Sequence, residues 1–500
     1  MKVAAVFVAL VVSVVAFASV AHAQPVAIVG AKIHIKPGQV IENGTLVIER
    51  GRITAVGAGA RVPGNAKTID GTGKVVTAGL VDGFSGVGLV GIDLEPQVVD
   101  GRFGAMDTVH SDPVHASYQA RDGFDARDVN VAIARAGGLT IVIAAPAGGL
   151  VAGQSAAFAL DGSADPVRAP VAMHVALGAS GAGALGGSRG KSIELLRELL
   201  DDARTFRRDR AAYEKNAKRR MIADRLDLEA LQPVLARTVP LVVDVNGESD
   251  IRAALRIAKQ FNVRIAIAGG AEAWRVAKEL AAARVPVLLD PTANLPSALD
   301  ASEVSDEAAT ILNKAGVQVA ISTLGASWGA RTLRQLAGNA VARGLPWDKA
   351  LASITTVPAT LYGLKGRGTL ERGAVADVVV WSGDPLELST AADAVIIAGV
   401  VQSLDNHQTK LLQRYRRVPP ATAISPSPAP RTPAPAPSKP PAPAPSAPST
   451  TPAPAPKPPV PAPTTTPVPA PTTAPVPTSP TPASPTTPTP PAPPPPGTKP

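Results

Sequence analysis

The chain has 500 residues, no cysteine, 3% aromatic residues and a formal net charge of +9. Without cysteine there is no disulfide, no thiolate zinc site and no cysteine nucleophile, so an ordinary hydrophobic core must hold the fold. The positive balance does not indicate a nucleic-acid partner: aromatics are too few for base-stacking platforms, and the densest charged run, DDARTFRRDRAAYEKNAKRR, interleaves acids and bases as a solvated helix face does.

In chain order, Met1-Lys2 is followed by the apolar run VAAVFVALVVSVVAFASVAHA. One positive charge, an apolar centre and a small-x-small ending predict a signal peptide over 1–23, cleaved after Ala23. An uncleaved anchor is the alternative, since the run could just span a bilayer. Export implies a periplasmic or extracellular location. From 24 to 78 the sequence reads as short strands. AIVGAKIHI, GTLVIERGRITAVG and GKVVTAG are Val- and Ile-rich and split by Gly and Asn turns. Residues 366–415 resume this style in GTLERGAVADVVVWSGDPL and DAVIIAGVVQSL, so the two flanks are expected to build one small β-sandwich domain.

Between them, from 79 to 365, strands alternate with helical patterns. GLVDGF, GLTIVIAAP, PVAMHVAL, PLVVDV, VRIAIAGG, VPVLLDP and VQVAIST are predicted strands. SDIRAALRIAKQF and AEAWRVAKELAAA are predicted helices. About seven such units fit a (β/α)8 TIM-like barrel, with the eighth strand not placed, and put any chemistry at the strand C-termini. From about Pro419 the chain is Pro, Ala, Thr and Ser, so 416–500 is expected to be a disordered tail of polyproline II character. The tail carries Arg431, Lys439, Lys457 and Lys499 and no acid. It reads either as a solvated tail or as a spacer touching an anionic cell envelope.

Four stretches, in this order and spacing, resemble the amidohydrolase superfamily, in its imidazolonepropionase-like branch of metal-dependent hydrolases. They are GTLVIERGRITAVG, GKVVTAGLVDGFSG, ARAGGLTIVIAAPAGGLVAGQSAAFAL and DKALASITTVPATLYGLKGRGTLERGAVADVVVWSGDPL, and the resemblance covers nearly all of 26–410. It implies hydrolysis of C–N bonds, often in cyclic amides or dipeptides, by water activated on a divalent metal such as zinc.

Position by position, the ligands that the resemblance implies are missing. Its Asp-x-His-x-His on the first barrel strand reads here Asp82-Gly83-Phe84-Ser85-Gly86. Asp82 is kept; Phe84 and Gly86 stand at the histidine positions. Asp244 stands at the next histidine position, Gly269 at the one after, and Leu324, following Thr323, at the last aspartate. Of the six histidines, His22 leaves with the signal, and His34 and His407 belong to the β flanks. His174 reads as a satisfied core residue. His110 and His115, five apart, read as a surface loop rather than a metal pair. Asp82, Asp244, Glu272 and Asp290 could form an all-oxygen site for Ca²⁺ or Mg²⁺ only if they converge; capping helices or pairing with Arg and Lys is the simpler reading. GASGAGALGGSRGKS lacks the P-loop spacing, because Leu185 stands where glycine is needed, and reads as a flexible loop. Ser155 lacks a nucleophile elbow.

These residues predict no cofactor and no metal. The expected protein is a metal-free pseudoenzyme acting as a binding or partner subunit, its partner a second copy or a related active amidohydrolase and its small-molecule ligand unknown. An active hydrolase with a displaced metal or carboxylate site, and a structural envelope protein spaced by its tail, are the alternatives.

Overall fold

The structure, a computed structural model, describes residues 24–103, 112–183, 185, 187–217, 219–296 and 298–416. The signal segment, the Pro-rich tail, His22 and His110 lie outside them. Among the described residues no helix is long and apolar enough to cross a membrane.

The N-terminal flank forms β1 (Val26–Lys36), β2 (Gln39–Glu49), β3 (Arg52–Gly57), β4 (Lys67–Asp70) and β5 (Val75–Ala78). Eight strands follow: β6 (Leu80–Ser85), β7 (Leu139–Ala144), β8 (Val151–Ala159), β9 (Arg168–Ala176), β10 (Leu241–Val245), β11 (Ile265–Gly269), β12 (Val287–Leu289) and β13 (Val319–Ile321). The chain then returns through β14 (Val378–Trp381), β15 (Ala392–Ile397) and β16 (Val400–Val401).

β6 to β13 lie side by side in chain order in one eight-stranded sheet that curls into a nearly closed barrel. This corrects the strict (β/α)8 expectation. Seven strands are parallel, and the unplaced eighth is β8, which runs antiparallel to both β7 and β9. Its residues, VAGQSAAFA, are small and buried almost without break. They carry neither the Val/Ile signature of a parallel strand nor a polar–apolar alternation. β7, LTIVIA, is buried at every position, as a strand covered on both faces must be. The helices meet ordinary local rules. Glu248–Phe261 (α1) has Glu248 and Asp250 in its first turn and ends on left-handed Asn262, which suits the helix dipole and the C-cap.

The flanks join in a single sheet of order β16-β15-β14-β5-β1-β2-β3, with β4 also pairing β1. One continuous sheet therefore replaces the expected sandwich. Alternate residues of its return strands serve two cores. Val378, Val380 and Ile396 pack with Ile28, Leu46 and Ile53. Val379, Trp381, Val395 and Ile397 face the barrel helices and strands instead. Trp381 is fully buried, and its indole N–H donates to Thr77 Oγ1 at 2.9 Å. The period of two along β14 thus stitches the sheet to the barrel.

Candidate functional site

No ladder joins β13 to β6, and the barrel closes there through side chains. Asp82, fully buried on β6, accepts from the Ser322 hydroxyl at 2.6 Å and the Thr323 N–H at 3.2 Å. It also accepts from the Thr323 hydroxyl, and the Phe84 N–H approaches at 3.4 Å. The Gly325 N–H donates to the Phe84 carbonyl at 2.8 Å. The carboxylate is spent across the seam between the first and last strands. Burial raises its pKa, against the lowering effect of these donors.

Phe84 follows at the C-terminal end of β6, 5% exposed. Its ring meets His174 of β9 edge-on, with centroids 4.9 Å apart. His174 is a core residue, but it is not satisfied: both ring nitrogens are buried without a hydrogen-bond partner. That corrects the sequence expectation. Burial pushes its pKa down to about 3, so the ring is neutral. The space that Phe84, His174 and Asp244 share with Pro146 and Ala152 is only about 10 Å³, no more than a single water requires.

Gly86 is closed off. A Cβ there would run into the Gly325 carbonyl oxygen and sit 3.5 Å from the Arg102 guanidinium. Arg102 is an exposed residue whose guanidinium tip turns into the mouth and donates to that carbonyl at 2.5 Å. Burial lowers its pKa, while Asp93 and Asp244 act in the opposite sense. Asp244, near the end of β10, is half-buried and lines a cavity of about 230 Å³. Its carboxylate has no hydrogen bond among the described residues, while its backbone carbonyl accepts from the Leu177 N–H at 2.9 Å. Burial, and then Asp300, raise its pKa to about 6 against the pull of Arg102. The mouth therefore holds an arginine whose positive charge favours the ionised form of the Asp244 carboxylate.

Three of the remaining candidates, Gly269, Asp290 and Leu324, line that cavity together with Asp244, and the others lie apart from it. Gly269 has φ +80°, and a Cβ there would come within 2.6 Å of Asn246 Oδ1. Leu324 has φ +48° and lines the 230 Å³ cavity with Asp244 and Asp290. Asp290 accepts from the Thr292 N–H at 2.8 Å within its own turn. Glu272 accepts from the Glu248 N–H at 2.8 Å and caps α1. His34 packs on Trp347 at 4.5 Å, and His115 stacks on Phe103 at 4.1 Å rather than standing on a bare loop. His407 opens the helix His407–Arg416. Ser155 lies buried in β8, 3.4 Å from the Ala172 carbonyl, with no base beside it. The glycine-rich stretch is partly helical, Gly178–Gly183, and Ser188 then caps a helix over Arg189–Arg208; the half-buried Leu185 lies between them.

The donors at the mouth do not fit a divalent metal. Gly86 and Gly269 offer no side chain, Phe84 and Leu324 offer hydrocarbon, and the Asp82 oxygens are engaged by hydroxyls. Among the described residues no group of three or more His, Asp or Glu could hold an ion. Sequence reasoning missed Arg102 and the role of Ser322. Arg102 comes from a strand of only two residues, Arg102–Phe103, too short for periodicity to place it, whereas the Ser-Thr pair at a strand end was a legible donor for a lone buried aspartate.

Residues 341–402 match the sequence profile described as Amidohydrolase family. Over 396 residues the chain is 26% identical to Amidohydrolase tasK of Hapsidospora irregularis, covering 72% of this chain and 40% of that protein. The chain thus spans well under half the length of this curated relative. The crystal structure of an amidohydrolase from Thermotoga maritima MSB8 superposes with a TM-score of 0.69 at 25% identity, covering 76% of this chain and 99% of that one. A prolidase complexed with N-methylphosphonate-L-proline aligns at 17% identity and a TM-score of 0.48, over 76% of this chain and 100% of its own. With the profile match, the tasK similarity and the Thermotoga maritima superposition together, the chain belongs to the amidohydrolase superfamily.

Proposed function

We propose that this chain is a metal-free, catalytically inactive amidohydrolase relative that acts as a binding or partner subunit. The supporting observation is the contact between Phe84 and His174. An apolar ring fills the centre of the mouth against the one buried imidazole there, leaving about 10 Å³. Metal-assisted hydrolysis needs an open coordination position and room for a substrate carbonyl, and neither is compatible with that packing. A natural partner is a second copy or a related active hydrolase, met in the periplasm or outside the cell.

The second reading rests on Asp244. A carboxyl with a pKa near 6 at the edge of a 230 Å³ cavity is tuned for proton transfer at neutral pH. General acid–base catalysis alone supplies about 10²–10⁴-fold, little for an amide without a Lewis acid. The deciding experiment is elemental mass spectrometry on protein purified without a metal-binding tag and incubated with Zn²⁺, alongside a screen of cyclic amides and dipeptides. Less than about 0.1 metal equivalents and no hydrolysis are expected. One tightly held equivalent would overturn the proposal. Hydrolysis without metal, lost in Asp244→Asn, would establish the second reading instead.

A further inference from the structure

At the opposite, N-terminal end of the barrel strands lies a groove of about 720 Å³. Four cations line it: Arg237, Lys259, Arg264 and Arg284. All four are exposed, and none is ion-paired among the described residues. The groove's carboxylate, Glu279, is already engaged by Arg252 at 2.9 Å. Between the cations the surface is apolar, with Leu255 and Leu361 among its walls.

The backbone shows where two of these cations are placed. Each turn from a helix into β10, β11, β12 and β13 carries one left-handed residue: Arg237 (φ +61°), Asn262 (φ +52°), Arg284 (φ +54°) and Gly316 (φ +89°). Glycine adopts this conformation freely, whereas a side chain with a Cβ is strained in it. At Gly316 the chain takes the easy solution. At Arg237 and Arg284 it takes a strained one, and both side chains line the groove. Helix C-termini do favour positive charge, but a lysine in the last turn meets that need without strain, as Lys259 does in α1. Arg237 is further fixed by donating to Asn262, and Arg264 approaches the Arg237 carbonyl at 3.4 Å. Uncompensated guanidinium groups over an apolar floor recognise phosphate or carboxylate attached to hydrocarbon.

We propose that this groove is a binding site for an amphiphilic anion, a phosphate or carboxylate head on an apolar body, clasped by Arg237, Lys259, Arg264 and Arg284. Such an anion could be a membrane lipid or a free soluble acid.

The test uses the full chain and the double variant Arg237→Gly/Arg284→Gly. That variant removes two cations and relieves strain, so its melting temperature should be no lower than wild type. Six-carbon phosphatidylglycerol, kept below its micelle concentration, is titrated by calorimetry against six-carbon phosphatidylcholine and inorganic phosphate. Saturable binding of the phosphatidylglycerol is expected, at least about tenfold weaker for phosphatidylcholine and for inorganic phosphate, and weakened at least about tenfold by the double variant. Pelleting of wild type with phosphatidylglycerol vesicles would then make a membrane lipid the source. Soluble binding without pelleting would make it a free acid. Equal binding by the variant and wild type, or no preference for phosphatidylglycerol over phosphatidylcholine or inorganic phosphate, would overturn the proposal.

Discussion

Asp82→Ala is the substitution that best tests what the kept aspartate does. Its carboxylate receives two hydroxyl donors and one backbone N–H from Ser322 and Thr323, all buried, at the one place where the barrel has no ladder. Alanine leaves those donors without a partner, each at about 1–3 kcal/mol. Removing a desolvated carboxylate returns part of this, so a net loss of about 3–5 kcal/mol is expected. Asp82→Asn keeps an acceptor oxygen, and the Thr323 hydroxyl can turn to the Ala326 carbonyl 3.2 Å away; its loss should be about 1–2 kcal/mol. Urea unfolding at pH 7 reads both values. A double-mutant cycle with Ser322→Ala should give a coupling of at least about 1 kcal/mol. If Asp82→Ala costs under about 1 kcal/mol while bound metal or hydrolysis disappears, Asp82 serves a reaction and the seam argument is wrong.

Phe84→Ala should destabilise by about 3–5 kcal/mol, since it empties a packed site, and should raise the His174 pKa from near 3 by admitting water; urea denaturation and imidazole NMR titration check the two halves. Phe84→His with Gly86→His should yield no metal site and lower stability, because a Cβ at 86 meets the Gly325 carbonyl; metal content after Zn²⁺ incubation checks it. Asp244 has a folded pKa near 6, raised by burial from the ordinary aspartate value of 3.8. Its contribution to stability is therefore fully present below about pH 4 and lost as pH rises through about 6. The shift is worth roughly 3 kcal/mol, so Asp244→Asn should be the more stable protein at pH 7.5 and flatten the wild-type pH profile between pH 4 and 7. Arg102→Gln should move the Asp244 titration upward, because the cation that lowers it is gone; carboxyl NMR titration would show no shift if Arg102 were merely a surface residue.

How much of this was legible in the sequence depends on what each residue had to signal. Periodicity marked β7 because a strand buried on both faces must be apolar throughout. It missed β8, whose Ala, Gly and Ser residues look like a loop and take their strand geometry from neighbours on both sides. That positions 84 and 86 carry a ring and a glycine was legible one residue at a time. That Phe84 and His174 fill the mouth together was not, since they lie on β6 and β9 and meet only after folding. The seam at Asp82 joins residues 240 positions apart, beyond any local pattern. The groove behind the barrel was hidden because an arginine in a left-handed turn reads, in sequence, as any surface arginine.

The stitch made by β14 bears on the order in which this molecule can be assembled. β5 finds its partner in β14, and Thr77 receives the Trp381 indole across a separation of 304 residues. Until that late strand exists, the N-terminal sheet ends in an open edge, and the barrel lacks the wall supplied by Val379 and Trp381. Such long-range closure slows folding and leaves early chain segments exposed. An emerging polypeptide of this kind has no stable N-terminal fragment to settle into, and fragments ending before residue 378 should be recovered only as aggregates.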